Sequence, residues 1–283
     1  MSYAIFSCII PPMRLRNIPE AKDIVAQSPY VIKNPAERKG SWKTFSDKPL
    51  YVEIGTGKGR FLMELAARHP ENEYIGVEMY ESVLMRACQK MEGKKAMDPA
   101  SRSLDAMEKS TSPEEAKVSH DYPENAGSSC GKDSRNDSTH DQNENTDQPF
   151  IPPQNLHFLR MDARALGDVF AADEVAGIYL NFSDPWPKAR HSKRRLTSHE
   201  FLAVYETFLS EGGILEFKTD NRPLFDFSVE EITEAPHWEL TAVTYDLHGD
   251  KEMGAGNIMT EYERKFSLLG NKINKLVAVY HKG

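Results

Sequence analysis

Residues 50–78 read LYVEIGTGKGRFLMELAARHPENEYIGVE, and the hydrophobic period changes twice within them. Leu50, Tyr51, Val52 and Ile54 form a short apolar run, the mark of a buried strand. Gly55-Thr56-Gly57-Lys58-Gly59 follows at once, and Phe61, Leu62, Leu65 and Ala66 then recur on one face of a helix. Tyr74 to Glu78 is a second strand. Strand, glycine loop, helix and strand together predict an open α/β sheet. The glycines admit positive φ and close ligand approach, and the free amides at the helix start favour an anion, either a pyrophosphate or an amino-acid carboxylate. A dinucleotide fingerprint wants glycine at position 60, where this chain has Arg60. Glu78, about twenty residues past the loop, stands where a carboxylate reaches ribose hydroxyls in such folds.

Further elements continue the alternation. A helix over Tyr80 to Met91 carries Val83, Leu84, Ala87 and Met91 at core spacing, with its methionines as packing. Leu156 to Arg160 is a third strand with Asp162 just beyond it, and Gly177 to Leu180 a fourth. A helix over Ser198 to Leu209, the pair Gly212-Gly213 and a fifth strand over Ile214 to Lys218 lead to Asp220. A helix across Phe225 to Thr233, a strand near Glu239 to Tyr245, a helix from Thr260 and a last strand over Leu276 to Tyr280 complete the chain. Thr260 and Glu263 have the spacing of a capping box. Before the first strand, Lys33, Arg38, Lys39 and Lys43 surround Trp42, a pattern that suits either RNA contact or plain surface.

Charge is unevenly divided. The 283 residues hold 43 Asp and Glu against 35 Lys and Arg, a net charge of −8. Residues 97–150 alone contain twelve acidic and five basic residues, −7 of that total, so the remainder is nearly neutral. From about 94 to 153 the composition is Ser, Asp, Asn, Glu, Gly and Pro with few apolar residues, which predicts a disordered acidic insertion. It interrupts a single domain spanning 13–283. Residues 1–12 fit the rest poorly and read as an extension from a mis-set initiation codon, with Met13 the natural start. Cys8, Cys88 and Cys130, odd in number and without ligand spacing, suit a reducing cytoplasm and no metal site. No apolar stretch reaches membrane-spanning length.

Residues 181–195, NFSDPWPKARHSKRR, concentrate the chemistry. Pro185 and Pro187 end the fourth strand, which puts Asp184 at its carboxyl end beside Trp186, the edge where α/β sheets bind ligands. Lys188, Arg190, Lys193, Arg194 and Arg195 then form a cationic run suited to phosphates. Glu53, Glu78, Asp162 and Asp184 all follow one geometric rule: each lies at or near a strand's carboxyl end, so they ring one crevice.

With VEIGTGKGRF (52–61), YIGVE (74–78), NFSDPWPKARHSKRRL (181–196), FKTDN (217–221) and NIMTEYE (257–263), the chain resembles the tRNA (guanine-N7)-methyltransferases. The last three motifs together are specific; the first is shared by many methyltransferases. The resemblance implies a Rossmann-like class I methyltransferase, a seven-stranded, mostly parallel sheet with helices on both faces. It implies S-adenosyl-L-methionine as cofactor, with Glu53, Gly55 and Gly57 at its methionine part, Glu78 at the ribose and Asp162 at the adenine side. Asp184 is similar to the family's catalytic acid and also lines the cofactor pocket. Lys188, Asp220, Thr260, Glu261, Tyr262 and Glu263 match its substrate contacts. Arg190, Lys193, Arg194 and Arg195 are expected on tRNA phosphates. The product would be 7-methylguanosine at nucleotide 46 of the variable loop, made by a monomer or homodimer without metal or membrane. Many members have Pro where Ser183 stands, and the acidic insertion departs from the pattern. The rivals are a methyltransferase of small molecules or proteins, which leaves the basic run idle, and an RNA-binding module that no longer catalyses, which leaves the acids idle.

Overall fold

The computed structural model describes residues 18–94 and 150–283. The expected extension at 1–12 and the body of the expected insertion, 95–149, lie outside the described residues. Seven strands form one sheet: β1 Leu50–Ile54, β2 Glu73–Glu78, β3 Leu156–Arg160, β4 Val175–Asn181, β5 Leu209–Thr219, β6 Trp238–Thr244 and β7 Asn274–Tyr280. Their order is β3-β2-β1-β4-β5-β7-β6. Strands β1 to β5 pair in parallel, and β7 runs antiparallel to both of its neighbours. The sheet is therefore mostly parallel, as expected.

The chain builds outward from β1 to β3, then returns to place β4 on the other side of β1. Connections leaving β1 and β4 diverge to opposite sides, and a crevice opens between them at their carboxyl ends. Helices cover both faces. Val25 of α1 (Ala21–Gln27), Leu62 of α3 (Arg60–Arg68) and Leu84 and Ala87 of α4 (Glu81–Met91) pack with Tyr74 and Phe158 on one face. On the other, Leu202 and Tyr205 of α5 (His199–Glu206) and Phe225 and Ile232 of α6 (Arg222–Glu234) pack with Val52, Ile54, Val77 and Ile178. Because side chains alternate along a strand, Glu53 shares Tyr51's face, and Gly76 and Glu78 share Tyr74's. Both acids thus lie beneath the glycine loop and α3.

Two local expectations are corrected. The fifth strand begins at Leu209, not Ile214, and α5 stops at Glu206. The pairing partner on β5 jumps from Leu209 to Ile214 while β4 advances only from Val175 to Gly177, so the glycines form a bulge inside the strand rather than preceding it. Gly212 has φ +73, a conformation that suits such a bulge. Trp42, in the short helix α2 (Trp42–Phe45), is buried rather than on the surface: its Nε1 donates to Val169 O at 2.8 Å, and its ring lies 5.1 Å from Phe170. Its neighbour Arg38 stacks over Phe45 at 4.5 Å.

At Gly76, a Cβ would come within 2.8 Å of the Phe158 ring and 2.9 Å of Thr56 Oγ1. Gly76→Ala is expected to lower stability by about 1–3 kcal/mol through overpacking. Urea unfolding checks this, and an unchanged midpoint would mean that Phe158 and Thr56 yield freely.

Candidate active site at the carboxyl ends of β1 and β4

The glycine loop folds over the end of β2. Gly55 N and Thr56 N both donate to Val77 O, at 2.8 and 3.1 Å, while Gly55, Gly57 and Gly59 adopt φ of +79, +59 and +75. A Cβ on Gly55 would meet nothing within 4 Å, so this turn of the loop faces open space.

Beneath it sits Glu53, 2% exposed. Its carboxylate accepts from Thr56 Oγ1 at 2.6 Å and from Asn181 Nδ2 of β4 at 2.8 Å. Burial pushes its pKa up to about 7, against the pull of those two hydrogen bonds and of the Lys218 charge. Glu78 is also buried; Gly57 N and Tyr80 N donate to its two oxygens at 3.1 and 2.9 Å. Desolvation raises its pKa, these amides oppose the rise, and the charge of Asp184 adds to it. Glu53, Glu78 and Asp184 therefore share one electrostatic environment, although only Asp184 is exposed. Asp162 lies past β3 as the cap of the 3-10 turn Ala163–Asp168, and Arg164 engages both its oxygens at 2.5 to 3.2 Å, holding its pKa low.

Across the crevice, the turn after β4 carries Asp184 between two non-glycine residues in the left-handed region, Phe182 at φ +53 and Trp186 at φ +40. Facing it is the loop that starts α7 (Glu261–Leu268). The expected capping box is present: Glu263 N donates to Thr260 Oγ1 at 2.9 Å and Thr260 N to Glu263 Oε2 at 3.4 Å. Glu263 is fully buried and also accepts from Lys218 Nζ at 3.0 Å, His248 Nε2 at 3.0 Å and Asn257 Nδ2 at 2.7 Å. Burial alone would raise its pKa, but Lys218, His248 and Asn257 hold it low. Its place is thus inside the loop. Glu261 reaches back to Lys90 at 2.5 Å and Lys58 at 3.7 Å, linking this loop to α4 and the glycine loop.

Tyr262 is exposed, with its ring 4.9 Å from Phe182 and 4.0 Å from Phe266. Partial burial first, and then the neighbouring charge of Asp220, push its pKa up to about 12. Asp220 at the end of β5 accepts from Asn271 Nδ2 at 3.0 Å. The basic run occupies the 3-10 turn Ala189–Arg194 and its flanks. Lys188, Arg190, Lys193 and Arg194 are exposed; Lys193 pairs with Glu200 at 3.0 Å, and Arg194 lies 4.9 Å over Trp186. Arg195 is only partly exposed and turns inward. Among the described residues, no group of three or more His, Cys, Asp or Glu is placed to hold a metal, and no helix is long and apolar enough to cross a membrane.

This arrangement couples a glycine cradle over buried carboxylates to an exposed acid and a cationic surface. Comparison with known proteins agrees in extent and kind. A family described as a putative methyltransferase matches residues 47–113 and 129–276. A tRNA (guanine-N(7)-)-methyltransferase of Lachnoclostridium phytofermentans is 43% identical over 272 residues, covering 95% of this chain and all of that one. The chain belongs to the tRNA (guanine-N(7)-)-methyltransferase family. Relatives of the same name from Bacillus subtilis (38% identical, 92% of this chain and 96% of that one) and Listeria monocytogenes (39%, 95% and 100%) match over a similar extent.

In this methyltransferase several site residues escape a reading for charge at strand ends. Asn181 and Thr56, which hold Glu53, are neutral. Lys218 lies inside a strand, and its neighbours Phe217 and Thr219 give no hint that all three are buried. Asn181 and Lys218 do stand in the NFSDPW and FKTDN motifs, the one signal that marked them.

Glu53 sets a pH dependence. Its folded pKa of about 7 lies above the ordinary 4.5, so the proton stabilises the fold. That contribution is complete below about pH 4.5 and is lost as pH rises through 7, a change of about 3 kcal/mol. Wild-type stability relative to Glu53→Gln should therefore fall between about pH 5 and pH 8 in urea unfolding. Parallel pH profiles would show that Glu53 is not desolvated.

Proposed function

We propose that this methyltransferase transfers the methyl group of S-adenosyl-L-methionine to N7 of a guanine in the tRNA variable loop, nucleotide 46, giving 7-methylguanosine in the cytoplasm. The observation that carries the reading is the place of Asp184: exposed at the crevice, near enough to act on the ionisation of buried Glu78, and four residues before Lys188, where the exposed cations begin.

The residues present fit the cofactor. Glu53, buried and accepting from the neutral Thr56 and Asn181 side chains, suits the ammonium of its methionine part, which the open backbone at Gly55 lets approach. Glu78 suits the ribose hydroxyls and the side of the crevice near Asp162 the adenine. When bound, S-adenosyl-L-methionine supplies a methyl group made electrophilic by its sulfonium sulfur.

Guanine N7 has an in-plane lone pair and no proton, so the attack needs no general base. Placement does most of the work: aligning two reactants contributes roughly 7–11 kcal/mol at best. Positive charge moves onto the purine as the methyl transfers. A carboxylate about 4 Å away stabilises that charge by about 4 kcal/mol at an effective dielectric near 20, and Asp184 is suited to this part. Asp220 and Thr260 offer acceptors to the base's hydrogen-bonding edge, and Tyr262 offers a ring on which an unstacked base can rest. Glu261 and Glu263 keep this wall in place from within the protein. Lys188, Arg190, Lys193 and Arg194 present cations for the phosphates flanking the guanine.

Labelled methyl transfer to unmodified tRNA transcripts tests the reading. Asp184→Ala is expected to lower turnover by roughly 10²–10³-fold, the rate equivalent of the lost charge stabilisation, while S-adenosylhomocysteine still binds. Near-normal turnover in the variant would remove Asp184 from the chemistry, and RNA-independent turnover by the wild type would favour a smaller substrate.

A further inference from the structure

Arg195 belongs by sequence to the cationic run but is separated from it by structure. Its Nε donates to Pro185 O at 3.1 Å and its Nη2 to Trp186 O at 3.2 Å, while its guanidinium lies 4.2 Å over the Phe227 ring of α6. The chain that carries it is well anchored. Tyr205 Oη donates to Leu196 O at 2.9 Å, and the buried Thr197 and Ser228 hydroxyls are 2.6 Å apart. The turn that it grips is strained, since Phe182 and Trp186 both hold positive φ without being glycine. Such backbone is costly and persists only where surrounding contacts over-determine it. On the other side of Asp184, Phe182 N donates to Lys218 O at 2.8 Å.

We propose that Arg195 is a positioning residue: its forked guanidinium clamps the carbonyls of Pro185 and Trp186, fixing the strained turn and hence the Asp184 carboxylate at the crevice. This rests on the function proposed above for Asp184. Only a planar fork reaches two carbonyls at once while stacking on a ring, so charge alone does not replace it. A phosphate contact, by contrast, draws first on charge, which lysine also carries.

Arg195→Lys and Arg195→Gln, compared with Arg190→Gln, separate the two roles. The clamp predicts that both Arg195 variants lose about 10- to 100-fold in kcat, the scale expected of ångström misplacement. Their tRNA affinity and its salt dependence should stay within about twofold of wild type, whereas Arg190→Gln should weaken binding and reduce the salt slope by about one phosphate contact. Amide hydrogen exchange across residues 181–191 reads the clamp without any substrate, and it should accelerate in both Arg195 variants even if tRNA proves not to be methylated. Unchanged exchange would overturn the proposal. So would an Arg195→Lys enzyme with wild-type kcat, or an Arg195→Gln enzyme whose only defect is a shallower salt slope.

Discussion

A single buried cation joins the parts of this site. Lys218, near the end of β5, has no solvent exposure, yet it carries a charge that must be satisfied. Its Nζ donates to Asn257 Oδ1 at 3.0 Å, Ile258 O at 2.9 Å and Glu263 Oε2 at 3.0 Å, and it lies 5.1 Å from the centre of the Phe61 ring. Those partners come from the loop that starts α7 and from the first turn of α3. One ammonium therefore fixes the wall on which the guanine is proposed to rest against the helix that follows the glycine loop. Breaking a buried pair of this kind by removing one partner costs about 3–5 kcal/mol. The same charge also opposes the rise in the Glu53 pKa, so it acts on the cofactor side as well.

Around that anchor the site divides labour by solvent exposure. The two buried carboxylates beneath the glycine loop are held by neutral or backbone donors: Glu53 by Thr56 and Asn181, Glu78 by two amides. A carboxylate held in this way keeps a cation-seeking character that a strong ion pair would quench. The exposed acid, Asp184, sits on a turn whose strain fits a site over-determined by its surroundings. The exposed cations lie farther along the same segment, within reach of a large polyanion. Alkylation at N7 requires no proton transfer, and this architecture spends its interactions on placing two reactants rather than on moving protons.

Much of this was legible in residues 50–78 and 181–196. Strand, glycine loop and helix follow from an abrupt change of hydrophobic period; the rule that acids gather at strand ends named Glu53, Glu78, Asp162 and Asp184, of which Glu53, Glu78 and Asp184 share one electrostatic environment while Asp162 pairs with Arg164. What escaped has physical reasons. Trp42 is surrounded in sequence by cations that stay at the surface while the ring alone turns inward, and no period reveals that. Gly212 and Gly213 set the expected start of the fifth strand at Ile214 because glycine serves connections and bulges alike. Arg195 looks like its neighbours because composition does not show direction: a guanidinium facing a carbonyl and one facing solvent are the same letter. The cap at Thr260 and Glu263 was legible as a cap, but the burial of Glu263 depends on Lys218, more than forty residues earlier in the chain.

In the proposed reaction the crevice delivers a methyl group to one atom of one guanine. Treating a tRNA transcript with enzyme and S-adenosyl-L-methionine, then reducing with borohydride and cleaving with aniline, cuts the chain at 7-methylguanine. The expected result is a single cut, in the variable loop at nucleotide 46. Methyl incorporation with no cut would contradict it by moving the target to another atom, and cuts scattered through the molecule would deny the site its placement of the base.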